Sequence, residues 1–176
     1  MKNLFFILSA AFLVVSCAPN VEQYRESIES LTTEWNAFTP MVEETVNNVQ
    51  MVKDVFSGMG EMMPTMTEGM DASAMESVQA LTEEYNSAMT AINDLQTTVG
   101  SFAETCMGKK ETIDALNAGL ESGAIDMDVA ATVQEMTTMM TEGKTQMEAW
   151  NKATNGMKIM ATSFASKIKP EENSEM

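Results

Sequence analysis

This sequence predicts an all-α protein, an elongated antiparallel three-helix bundle or coiled coil. Two observations carry the prediction. Apolar residues recur at alternating four- and three-residue spacing through three long stretches, the pattern of one buried helical face and of a coiled-coil seam. Two Gly-bearing connections, one with Pro and one with Asp, separate the stretches, and three helices joined in this way favour up-down-up order.

The first stretch opens at Asn20-Val21-Glu22-Gln23, where a capping residue with Gln three positions later satisfies the first free N–H groups of a helix. Tyr24, Ile28, Leu31, Trp35, Phe38, Val42, Thr45, Val49, Val52 and Phe56 then hold the rhythm. Pro40 removes one backbone hydrogen bond and bends a helix. The apolar phase nevertheless runs through it unchanged, so one bent helix is expected. Residues 57–72 hold Gly58, Gly60, Pro64 and Gly69 and read as the first connection, with a short helical turn from Thr65, which stands in capping-box spacing to Glu68.

Ser73-Ala74-Met75-Glu76 is a capping box that opens the second helix. Its seam is Val78, Leu81, Tyr85, Ala88, Ile92, Leu95, Val99, Phe102 and Cys106, continuing through Lys109, Ile113, Leu116 and Leu120, with Gly108 a weak point. Gly119, Gly123 and Asp126 mark the second connection. The third helix carries Val129, Val133, Met136, Met140, Gly143, Met147, Trp150, Thr154, Met157, Ala161, Phe164 and Ile168 and stops before Pro170. The bundle domain is thus 21–169, and 170–176 is a polar tail expected to fray. Helices two and three exceed the first in length, so one end is expected to project as a helical hairpin.

Composition narrows the function. The chain has 176 residues, a net charge of −16 and no histidine. An anionic surface repels phosphate backbones, which argues against nucleic acid as a partner. Without histidine the chain lacks the usual base near neutral pH and the commonest metal ligand. No enzyme is expected. Charge is also uneven: residues 54–108 hold nine acids and no Lys or Arg, whereas residues 144–169 hold five lysines and one acid. Attraction between the two regions along neighbouring helices is expected.

The N-terminus supplies the one specific motif. Lys2 precedes Leu4 to Val15, twelve residues with a single polar one, Ser9. That run has the form of a secretory signal and is too short to span a bilayer. It closes on Val14-Val15-Ser16-Cys17, which resembles the lipobox of bacterial lipoproteins, with Val14 where the family often has Leu. The resemblance covers residues 1–17 only. It implies a signal peptide over 1–16, an anchor at 17–20, and a Cys17 that carries a diacylglycerol thioether and an N-acyl chain such as palmitate. Additional acyl chains make anchoring stable where one is marginal. Ala18-Pro19-Asn20 has neither the Asp nor the acidic run that marks other destinations. By the resemblance, that places the chain on the outer membrane, facing the periplasm.

Once Cys17 is acylated, only Cys106 remains as a thiol, so no intrachain disulfide forms. Its seam position marks it as a small buried hydrophobe. The mature chain has eighteen methionines against five leucines. Met59, Met62, Met63, Met66 and Met70 cluster in and beside the first connection, and thioethers suit Cu(I). Met is also an adaptable core filler and is common on promiscuous binding surfaces. The expectation is therefore a membrane-anchored lipoprotein with a non-enzymatic structural or partner-binding role, its partner an envelope protein or a second copy of the chain. Two other readings stand beside it: Cu(I) binding by the methionines, and carriage of an apolar ligand between helices.

Overall fold

The computed structural model describes residues 21–64 and 68–168. The signal, Cys17, the Asn20 cap, the turn at Thr65 and the tail lie outside these residues. The described chain is an all-α bundle of three helices, with no strand among the described residues. A 3-10 turn, Val21–Tyr24, leads into α1 (Arg25–Gly60), followed by α2 (Ala72–Ser122) and α3 (Val129–Ile168).

The helices run up, down and up. Thr32 hydrogen-bonds Asn117 and Lys53 hydrogen-bonds Gln96, so α1 and α2 are antiparallel. Lys109 pairs with Glu135 and Lys167 with Glu84, both at 2.6 Å, so α2 and α3 are antiparallel as well. The second pair joins the acidic stretch to the basic one, as the charge distribution led one to expect.

α1 follows its apolar rhythm closely. Every seam residue from Ile28 to Phe56 is buried, and Tyr24 is half-buried. The helix continues unbroken through Pro40, because burial on two sides outweighs one missing hydrogen bond. α2 is likewise continuous through Gly108.

Three local expectations are corrected. The α-helix proper starts at Arg25, not beside Asn20. There Glu22 receives the Arg25 guanidinium at 2.7 Å, which clips the 3-10 turn to the first α-turn and holds the Glu22 carboxyl below its ordinary value. α1 runs on to Gly60, which shortens the first connection. The cap of α2 is Asp71, whose carboxylate accepts from the Ala74 N–H at 2.8 Å, while Ser73 lies inside the first turn. An extended backbone at Asp71 aims its side chain at the free amides.

The projecting hairpin is also corrected. Val21 packs in one cluster with Leu120 and Val129, against Ile125 and Met127, so the 3-10 turn covers the α2–α3 connection. Gly123 turns that connection at φ 76°, a left-handed cap that glycine adopts without steric cost. At the other end the start of α2 runs past the end of α1, flanked by Pro64 and Lys167, with Val78 buried. Tyr85 meets Gly60 at the end of α1, and α2 begins at Ala72, about 20 Å earlier at ~1.5 Å per residue.

The core divides in two. One cluster runs from Val21 to Val42 with the Met136, Met140 and Met147 row; the other holds Val49, Val52, Phe56, Ile92 and Phe164. Between them lie Thr45 and Thr154, both buried, whose hydroxyls donate to the carbonyls of Met41 and Trp150. Each polar group is satisfied within its own helix, so the layer interrupts the apolar core without the penalty of an unpaired hydroxyl.

Gly143 marks a close crossing of all three helices. A Cβ there would stand 2.5 Å from the tip of Phe102 and 2.8 Å from that of Phe38. Gly143→Leu is expected to destabilise the bundle by about 1–3 kcal/mol through overpacking. Gly108, by contrast, faces open space, and Gly108→Ala is expected to stabilise by about 0.5–1 kcal/mol from helix propensity alone. Urea midpoints of the two variants check both signs.

Candidate interaction surface

α1 packs closely along both other helices, whereas large rings hold α2 and α3 apart. Phe102 meets Trp150 edge-on at 5.3 Å between centroids, and Tyr85 meets Phe164 at 5.8 Å. On the opposite flank, where α1 and α3 run parallel, the side chains are smaller and a groove remains open.

That groove contains two recesses. The first, of about 280 Å³, is mostly polar and is lined by Glu44, Thr45, Asn48, Asn151, Thr154 and Asn155, with Met41 and Met147 at its walls. The second, of about 410 Å³, is almost wholly apolar and is lined by Met51, Val52, Val55, Met59, Ala161 and Ala165. Lys158 borders both, which makes them one continuous feature. Helical spacing extends it. Met41, Glu44, Asn48, Met51 and Val55 form one four-three stripe on α1, and Lys144, Glu148, Asn151, Asn155, Lys158, Thr162 and Ala165 form another on α3.

Three of the eight exposed large apolar side chains among the described residues line this groove. Met41, Met51 and Val55 are 43%, 55% and 46% exposed, although the same helix buries its seam almost completely. Ile159, at 73%, lies one turn before Thr162 on the adjoining strip of α3. Exposed apolar surface grouped along a groove marks an interaction site more often than scattered residues do.

A second groove, of about 510 Å³, lies between α1 and α2. Trp35, Val42, Val46, Ala103 and Cys106 form its floor, with Glu43 and Lys110 at the rim. Cys106 is 2% exposed, and burial pushes its thiol up to about 11. The seam position therefore does mark a buried thiol.

The methionines expected to gather at the first connection are divided. Met59 is buried in the second core cluster, and Met63 packs against that cluster. Met62 is 60% exposed, Met70 is half-buried, and Met66 lies outside the described residues. Cys17, the lipidation candidate, also lies outside them. Among the described residues no three Cys, Asp or Glu side chains converge on a point that could hold a metal ion. No helix among them is long and apolar enough to cross a membrane.

Sequence reading did not find the α1–α3 groove. Its signal was present, since Met41, Met51 and Val55 keep helical spacing one step off the seam. Comparison with known families, curated proteins and solved structures returns no match to this chain.

The buried thiol yields a pH prediction. The folded chain keeps a proton that the unfolded chain releases above its ordinary thiol value of 9.0. This contribution to stability is present below that value and is lost as pH rises through about 11. At pH 8, Cys106 is expected to react with a thiol reagent only as fast as the bundle opens. Rapid reaction in the absence of denaturant would show the thiol to be accessible.

Proposed function

We propose that this chain is an outer-membrane lipoprotein, anchored through acylated Cys17 and facing the periplasm, whose helical rod binds a protein partner without catalysing a reaction. The observation that carries the binding role is the row of exposed Met41, Met51 and Val55 along an open groove. Met side chains repack at little cost, which suits an adaptable contact. The lipobox resemblance at residues 14–17 carries the anchor. Stable attachment leaves the rod free to act at the membrane without a spanning helix.

The anchor and the binding role are tested separately. Cells fed labelled palmitate are expected to label the full-length protein, and Cys17→Ser is expected to abolish the label and move the chain out of the membrane pellet. A Cys17→Ser chain that keeps both label and membrane attachment overturns the anchor. For the partner, a photo-crosslinking residue is placed at Val55, in the groove, and separately at Ser101, on the outer face of α2. Irradiation of the envelope is expected to give an adduct of fixed mass from at least one position. No adduct from either overturns the binding role.

A second reading, carriage of a small apolar ligand, is favoured by the α1–α2 groove, whose volume lies in the range of ligand sites. Its expected signature is acyl chains or similar molecules in organic extracts of the purified protein, lost when Val46→Trp fills the groove.

A further inference from the structure

We infer that the rod is jointed at mid-length: the half that holds Phe56, Ile92 and Phe164 opens while the half that holds Ile28, Leu116 and Met136 stays folded. This device goes beyond the anchor and partner readings and stands apart from both, because the core and the helices alone build it.

Three kinds of observation meet at one level of the rod. The core is divided there: Val42, Cys106 and Met147 belong to one cluster, Val49, Val99 and Ala161 to the other, and Thr45 and Thr154 lie buried between them. Their hydroxyls are satisfied within their own helices and add no bond across the layer, and such back-bonding also weakens a helix locally. Among the described apolar residues Trp150 alone packs against both clusters. Each helix also has a weak point at this level. α1 lacks a backbone hydrogen bond at Pro40. Gly108 of α2 stands between Met107 and Lys110, which line the groove beside Thr39 and Val42. Gly156 of α3 stands between Asn155 and Lys158, which line the recess beside Thr45 and Asn48. A Cβ at either glycine would meet nothing within 4 Å, so packing does not require them, and each lowers helix stability where it stands. Last, side chains leave space unfilled here on both flanks of α1, about 280 Å³ on one and about 510 Å³ on the other.

The half that opens is the distal one, which holds Gly60 and Ile168. Among the described residues its cluster has nine buried side chains against fourteen in the other, and buried apolar area is what holds a bundle closed. The other half also has Phe38 and Phe102 crossing over Gly143, and its end is closed by the 3-10 turn. The distal half is tied across α2 and α3 by Lys167 and Glu84, an exposed pair that contributes little. Opening bares Phe56, Ile92 and Phe164, each fully buried in the closed rod, and leaves the fourteen-residue cluster whole. Sub-global opening of this kind exposes core side chains without unfolding the whole chain.

The test is native-state hydrogen exchange of the purified full chain, read peptide by peptide by mass spectrometry where reclosing outruns exchange. Peptides from 49–59, 88–99 and 157–168 are expected to be protected at least about tenfold less than peptides from 28–42, 106–120 and 136–147. Ile28→Val removes one buried carbon from the half that stays folded. It is expected to lower protection there about threefold to tenfold and to leave the distal half within about twofold. Ile92→Val is expected to lower protection in both halves, because the slowest amides exchange only when both are open. Both changes are conservative, so the variants keep their fold, which circular dichroism checks. Thr45→Val together with Thr154→Val makes the layer apolar at nearly constant shape and is expected to raise distal protection several-fold. Equal protection of the two halves in the parent chain overturns the inference. So does Ile28→Val lowering protection in both halves alike, the mark of one cooperative unit. Distal protection that does not rise in the double threonine variant overturns it too, because the polar layer is then not the joint.

Discussion

The fold depends on one crossing, where Phe38 of α1 and Phe102 of α2 bring their ring tips together over Gly143 of α3. A seam position with no side chain leaves room for two rings to enter from different helices. Any slip of α3 by one turn would present Met140 or Met147 to the same rings. Along α3 the buried row is Met136, Met140 and Met147, and a flexible thioether accommodates shifts that a ring will not. Trp150 extends the constraint by stacking edge-on against Phe102 and touching both core clusters.

From that crossing follows the asymmetry of the bundle. The rings lie between α2 and α3 and keep them apart, so α1 becomes the helix on which both others pack. The α3 wall of the α1–α3 flank is largely Asn, Thr and Ala beyond the seam, and these small side chains leave it open beside the methionines of α1. An open groove on one flank is thus the counterpart of the aromatic filling on the other. The Thr45 and Thr154 layer separates the two core clusters and lies within the polar recess, and the apolar recess begins beyond Lys158.

Most of the fold was legible because a four-three rhythm has one physical solution when it persists for over thirty residues. On α1 the rhythm and the burial coincide from Ile28 to Phe56. On α2 they agree less well: Leu81, Tyr85, Leu95, Phe102 and Lys109 are only half-buried. A seam helix that packs closely on a single neighbour keeps the pattern while burying less of it. The capping box at Ser73 misled because Asp71, two residues earlier, offers a stronger acceptor to the same amides. The hairpin misled because helix lengths alone do not say which ends are flush. The groove was illegible for a different reason. Met is as apolar at Met51 as at Met140, and composition cannot tell a methionine that fills a core from one that faces water.

The position of the groove along the rod gives the proposed anchor and the proposed binding surface a common logic. Under the lipid-anchor reading, Cys17 lies four residues before Val21, so the membrane end of the rod is the end where the 3-10 turn covers the α2–α3 connection. Val55 stands thirty residues beyond Arg25, about 45 Å further along the helix axis. The apolar, acid-free half of the groove is therefore presented well beyond the reach of headgroup charge, which is screened over roughly 8–10 Å. Under the same reading, a partner protein would meet the groove there without competition from the bilayer. A short rod, or a groove placed beside the anchor, would lose that separation. Under that reading the length of α1 serves access to the groove as well as burial.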